Sequence, residues 1–226
     1  MPDEPFRVKV WDPFVRISHG VLAVAFLAAY AIEDEWMTVH AWLGYVAGLI
    51  VVLRVLWGLV GPRPARFSDF LYPPRIVFGY LADPALFRAR RYLGHSPAGG
   101  AMAVALLLGV TASVLSGLAA YAYQGKGPLA PYFGPAAQVS TAPVLVSPAY
   151  ANDDEGKRGK GKIPKSRAAK AWEEIHEALA TVTLWLVVLH VAGVLWASIV
   201  HHENLARGMI DGLKRADDGP NASGAG

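Results

Sequence analysis

Residues 172–201 read WEEIHEALATVTLWLVVLHVAGVLWASIVH. From Ala178 to Val200 no Asp, Glu, Lys or Arg interrupts the run, and a helix needs about 20 such residues to cross a hydrocarbon core. Two histidines sit on this one helix, His176 and His190. Fourteen positions apart is about 3.9 helical turns, so the rings share a face, separated by about 21 Å in depth.

Three more apolar runs lie upstream. The first covers 14–32 behind Asp12-Pro13, an N-cap followed by a residue suited to the first helical position. The second covers 37–60, holds a single charge at Arg54 and stops at Gly61-Pro62. The third covers 97–123 after Gly94-His95-Ser96. With the fourth at 172–201, the expected fold is all-α, a four-helix transmembrane bundle. The first run is expected to stay as a span, because Glu33-Asp34-Glu35 follows it instead of a signal-peptide cleavage site. Between spans two and three, residues 67–93 are too polar to cross and too apolar for a free loop, which predicts short helical segments in the interface.

Composition agrees. Of 226 residues 54% are apolar and 17% charged, with a mean hydropathy of +0.31, too apolar for a soluble globule or a disordered chain. The absence of cysteine excludes disulfides, thiolate zinc sites, cysteine-ligated iron–sulfur clusters and c-type haem attachment. The net charge of +3 resides between apolar runs, not on a basic stripe, so nucleic acid is not an expected partner.

Twelve Lys and Arg residues fall on one side of such a bundle: Arg7, Lys9 and Arg16, six arginines between spans two and three, and Arg207, Lys214 and Arg215. The positive-inside rule makes that side the cytoplasm. The segments are then a cytoplasmic N-terminus (1–13), the bundle (14–205) with an external loop at 124–170, and a cytoplasmic tail (206–226). The external loop carries eight positive charges of its own; it is expected to be a solvated tether or a docking patch for an acidic partner.

His19 lies near the cytoplasmic start of span one and His40 near the external start of span two. The 13 residues from His19 to Ile32 span about 20 Å, close to the His176–His190 separation. His40 is therefore level with His176, and His19 with His190. Two imidazole pairs, one near each leaflet, suit haem iron gripped from both axial sides. Zinc or di-iron chemistry fits less well, with no intramembrane carboxylate beside either pair; a proton relay leaves the matched depths unexplained. Gly44 and Gly48 follow His40 on its face, Ser113, Ser116 and Gly117 offer room on span three, and Gly193 lies one turn past His190. Arg54, fourteen residues after His40, and Arg16, one turn before His19, either snorkel or meet a haem propionate. Glu173, Glu174 and Glu177 crowd His176. His95 is either an interface cap or a contact near propionates or a quinone, while His201 and His202 lie beyond the last apolar residue.

Several segments together resemble the bacterial di-haem cytochrome b family, which includes cytochrome b(561) and the b-type subunit of nickel–iron hydrogenases. They are Trp11-Asp12-Pro13 through Arg16 and His19; His40 with Gly44, Arg54, Trp57 and Gly58, to Ala65-Arg66-Phe67; Gly94-His95-Ser96-Pro97; Glu174 and His176; and His190-Val191-Ala192-Gly193 through His201, Glu203-Asn204-Leu205, Met209 and Lys214-Arg215. The family typically has Asn where this chain has Ser96. The resemblance implies two b-type haems on His19, His40, His176 and His190. It also implies electron transfer between a quinone and a redox partner across the membrane, here expected to be an external, periplasmic protein, with a homodimer allowed. Bis-His ligation leaves no open iron site, and no hydrolase or transferase chemistry is expected. The alternative is a haem-containing anchor subunit of a larger, hydrogenase-like oxidoreductase, in which any quinone activity appears only in the assembly.

Overall fold

The computed structural model describes residues 7–32, 36–82, 92, 94–134 and 167–215. Most of the expected external loop (135–166), the end of the C-terminal tail (216–226), residues 1–6, and 83–91 with Leu93 between spans two and three lie outside the described residues.

Strand β1 is Arg7–Lys9, and α1 follows as Pro13–Ala31. Asp12 starts α1 as read from the sequence, its Oδ1 accepting the Val15 N–H at 3.0 Å, with Pro13 in the first turn. Helix α2 is Met37–Val60, ended at Gly61, whose N–H returns to the Trp57 carbonyl at 2.8 Å. Two 3-10 turns, Arg63–Ala65 and Phe67–Asp69, and helix α3, Pro74–Ala82, follow, the last two within the stretch 67–93 read as short helical pieces. Helix α4 is Pro97–Tyr123, and the four-residue α5, Ala130–Phe133, falls inside the region read as loop. Helix α6 is Arg167–Val200, α7 is Leu205–Asp211 and β2 is Leu213–Arg215.

Four of these helices, α1, α2, α4 and α6, are long and apolar enough to cross a membrane. Their bounds match the expected spans within a residue, except at the start of α6, which begins at Arg167 and not Trp172. Arg167-Ala168-Ala169-Lys170-Ala171 has strong helix propensity and continues the helix beyond its apolar segment. Large aliphatic side chains stand exposed on all four, among them Val24, Leu49, Leu108 and Leu195, a surface suited to hydrocarbon.

The described residues form two compact units, 1–111 with 180–226, and 112–179. In the first, α4 meets α6 where Gly109 faces Thr183: a Cβ on Gly109 would come within 2.8 Å of the buried Thr183 Oγ1. The same unit departs from the all-α expectation. β1 and β2 pair antiparallel, with Val8 opposite Lys214, and the Val10 and Trp11 N–H groups both donate to the Gly212 carbonyl at 2.9 and 3.2 Å. Among the described residues the fold is mostly helical with this one small ribbon, in which residues 7–11 and 212–215 satisfy each other's backbone groups. Val10, Trp11, Val15 and Ala65 form a core beside the ribbon, packed by Trp57 and Met209. In the second unit, Gln124 Nε2 donates to Glu173 Oε1 at 2.7 Å, joining the end of α4 to the start of α6.

Candidate functional site

His19 on α1 and His190 on α6 come together in the first unit, ring centres 6.4 Å apart and planes at 59°. Two imidazoles that bind one metal ion from opposite sides, through metal–nitrogen bonds of about 2 Å, have ring centres about 6 Å apart. The pair that the depth arithmetic selected therefore has the spacing a shared metal requires. Beside it the helices are bare: a Cβ on Gly20, next to His19, or on Gly193, one turn past His190, would meet nothing within 4 Å.

His40 belongs to the same unit. Its Nδ1 lies 2.9 Å from the Ala29 carbonyl oxygen. A carbonyl only accepts, so Nδ1 carries the proton, and in the neutral ring Nε2 holds the lone pair that a metal needs. Gly44, one turn on, is open as well.

His176 is in the second unit and has the same arrangement. Its Nδ1 is 2.9 Å from the Ser113 carbonyl and 3.3 Å from Ser116 Oγ. Here the structure differs from the sequence reading. Gly117 with the two serines was expected to make room for a porphyrin, yet the group seated there is the His176 ring: a Cβ on Gly117 would stand 2.9 Å from its Cε1.

Arg16 donates from Nη2 to the Ile210 carbonyl in the last turn of α7, and its Nε is buried with no hydrogen-bond partner among the described residues. Arg54 donates to the Ala65 carbonyl at 3.2 Å and stands over the Phe67 ring at 6.0 Å. His95 packs against Trp11 and Phe70, ring centres at 4.8 and 4.5 Å, and its Nδ1 is likewise buried without a partner among the described residues. Burial foremost, then the charges of Arg54, Lys214 and His190, push His95 down to about 4, so it is neutral at physiological pH.

Residues 10–212 match the family described as prokaryotic cytochrome b561. The chain belongs to this family. No curated protein and no solved structure matches it. Membership in the cytochrome b561 family, with the four apolar helices, makes the chain a multi-pass membrane protein and a b-type cytochrome of electron transfer that binds haem and deals with lipid and redox partners.

The residues fit that group. Among the described residues no cluster of three or more His, Cys, Asp or Glu could hold a bare metal ion, whereas bis-imidazole ligation of haem needs only two protein ligands. The buried Arg16 Nε, one turn from His19, is a donor without an acceptor among the described residues. Ser96, where the cytochrome b561 pattern has Asn, accepts the Gly99 N–H at 3.1 Å and N-caps α4, a task Asn and Ser perform about equally well. Sequence reasoning missed Trp11, which contacts His95, lies 5.7 Å from Lys214 Nζ and packs in the terminal core. Its place in the Trp11-Asp12-Pro13 segment was visible; its role required knowing that β2 returns beside it.

Proposed function

We propose that the chain carries two b-type haems, one on His19 and His190 and one on His40 and His176, and moves electrons across the bacterial inner membrane between a quinone and an external redox protein. The observation that carries this reading is the 6.4 Å separation of the His19 and His190 rings, two residues far apart in sequence and equal in expected depth. Bound haem would supply a one-electron Fe(III)/Fe(II) couple. The side chains then have distinct tasks. His40 and His176, each with its proton on Nδ1 against a backbone carbonyl, present Nε2 as ligand with the ring orientation fixed. Arg16 offers its buried Nε to a carboxylate such as a propionate, and Arg54 can serve the same charge from the level of the cytoplasmic pair. His95 is the candidate quinone contact, a neutral ring just before α4 whose Nδ1 has no hydrogen-bond partner among the described residues. The basic flanks support a cytoplasmic position for both termini.

The test is a haem count and a reduced-minus-oxidised spectrum on purified full-length protein, with four single variants. Two b-type haems per chain are expected. His19→Ala and His190→Ala should lose one and the same haem, and His40→Ala and His176→Ala the other. A chain without haem overturns the proposal, and so does a common loss in His40→Ala and His190→Ala. Quinol oxidation by the isolated protein separates it from an anchor subunit active only with a co-purifying partner.

A further inference from the structure

Serines in apolar helices commonly bond back to a carbonyl three or four residues earlier and do nothing else. Thr111 and Ser18 behave so here, donating to the Leu107 and Val15 carbonyls at 2.6 and 3.1 Å. Ser116 makes the same kind of bond, to the Ser113 carbonyl at 3.0 Å, but its oxygen also faces an imidazole. A hydroxyl has one proton; with that proton on Ser113, the Ser116 oxygen can only accept from His176 Nδ1, 3.3 Å away. The Nδ1 proton is thus shared between the Ser113 carbonyl at 2.9 Å and the Ser116 hydroxyl. Both serines are buried, at 5% and 3% exposure, so water does not compete for these bonds. Gly117 completes the seat, since a Cβ there would press on the ring at 2.9 Å from Cε1 and 3.1 Å from Nδ1. Residues 113, 116 and 117 share one face of α4 by their three- and four-residue spacing.

We propose that Ser116 is a positioning residue for His176 and, through that ring, a determinant of the reduction potential of the haem His176 ligates. The role rests on the ligation proposed above. An acceptor on the far N–H of a ligating imidazole makes the ring a stronger electron donor. Stronger donation favours Fe(III) over Fe(II) and lowers the potential. Ser116 adds a second acceptor to the one the backbone provides, and it anchors the carbonyl that supplies the first.

The experiment is a spectroscopic redox titration of the purified, haem-loaded protein carrying Ser116→Ala, Ser116→Thr or Ser116→Cys, with His176→Ala as reference. Removing the hydroxyl is expected to raise the midpoint of one haem by up to about tenfold in its Fe(III)/Fe(II) equilibrium, or ~59 mV for one electron. The haem that moves should be the one missing from His176→Ala, with the other unmoved. Ser116→Thr, which keeps the hydroxyl, should restore the wild-type value. Should Ser116→Ala lose haem, Ser116→Cys fills the same space with a weak acceptor and is expected to show the same upward shift. An unshifted or lowered midpoint in the Ala and Cys variants overturns the role of Ser116, as does an equal shift of both haems. If instead His176→Ala keeps both haems, the ligation itself is wrong, and the two failures are told apart.

Discussion

His40 Nδ1 lies 2.9 Å from the carbonyl oxygen of Ala29. Ala29 is in the last turn of α1, where carbonyls have no partner within the helix. One imidazole therefore closes the end of α1 and, by committing its proton there, keeps Nε2 in ligand form. Two losses are expected from His40→Ala. One haem should disappear, the one also absent from His176→Ala, and the haem-free protein should lose about 1 kcal/mol with the hydrogen bond. Haem stoichiometry reads the first and thermal unfolding of the two apo proteins the second. A variant that keeps both haems would return His40 to a purely capping role.

The spans were legible because each is a long apolar run closed by recognisable residues: Asp12-Pro13 before α1, Gly61-Pro62 after α2, Ser96-Pro97 before α4. The pairing of His19 with His190 was legible too, since helical rise converts sequence distance into depth. The missing parts depend on backbone atoms or on long-range meetings. Neither Ala29 nor Ser113 advertises that its carbonyl will receive an imidazole proton. Three-residue strands such as Arg7–Lys9 and Leu213–Arg215 carry no periodicity to read, and their register exists only once α7 folds back. The small face at Ser113, Ser116 and Gly117 was visible, but its occupant was not: small residues announce close approach without saying what approaches.

Ser96 tests how far the departure from the family pattern matters. Its hydroxyl takes the Gly99 N–H at 3.1 Å, and removal of such a cap costs about 1 kcal/mol. Ser96→Ala should lower stability by that amount, while Ser96→Asn, which restores the family residue, should stay within a few tenths of a kcal/mol. Thermal midpoints of the three proteins in one detergent decide it. If Ser96→Asn instead destabilises as much as Ser96→Ala, the cap is not what this position supplies.

His95 gives the chain an acid-sensitive point outside the spans. Its folded value of about 4 lies below its ordinary 6.5, from burial first and then Arg54, Lys214 and His190. Between those values the folded chain binds fewer protons than the unfolded one, so stability falls as pH falls through the window and is unaffected by this group above it. His95→Phe keeps a ring against Trp11 and Phe70 and removes the titration. The variant should lose less stability than wild type when thermal midpoints are compared from about pH 7 to about pH 4. Parallel acid limbs in the two proteins would assign the sensitivity elsewhere.

His202 offers a gain in stability. Helix α6 ends with the Glu203 N–H on the Ser198 carbonyl at 3.2 Å and the His202 N–H on the Ile199 carbonyl at 3.3 Å, the two bonds of a Schellman motif. That motif puts its penultimate residue in the left-handed region, and His202 stands there with φ of 48°. A residue with a Cβ is strained in that conformation by about 1 kcal/mol, and glycine is not. The side chain is exposed, so little packing is lost with it. His202→Gly is expected to raise stability by about 0.5–1 kcal/mol with haem content unchanged, whereas β-branched His202→Val should lower it. The comparison needs only thermal midpoints and haem counts of three proteins, and a glycine variant less stable than wild type would mean that His202 makes a contact worth more than its strain.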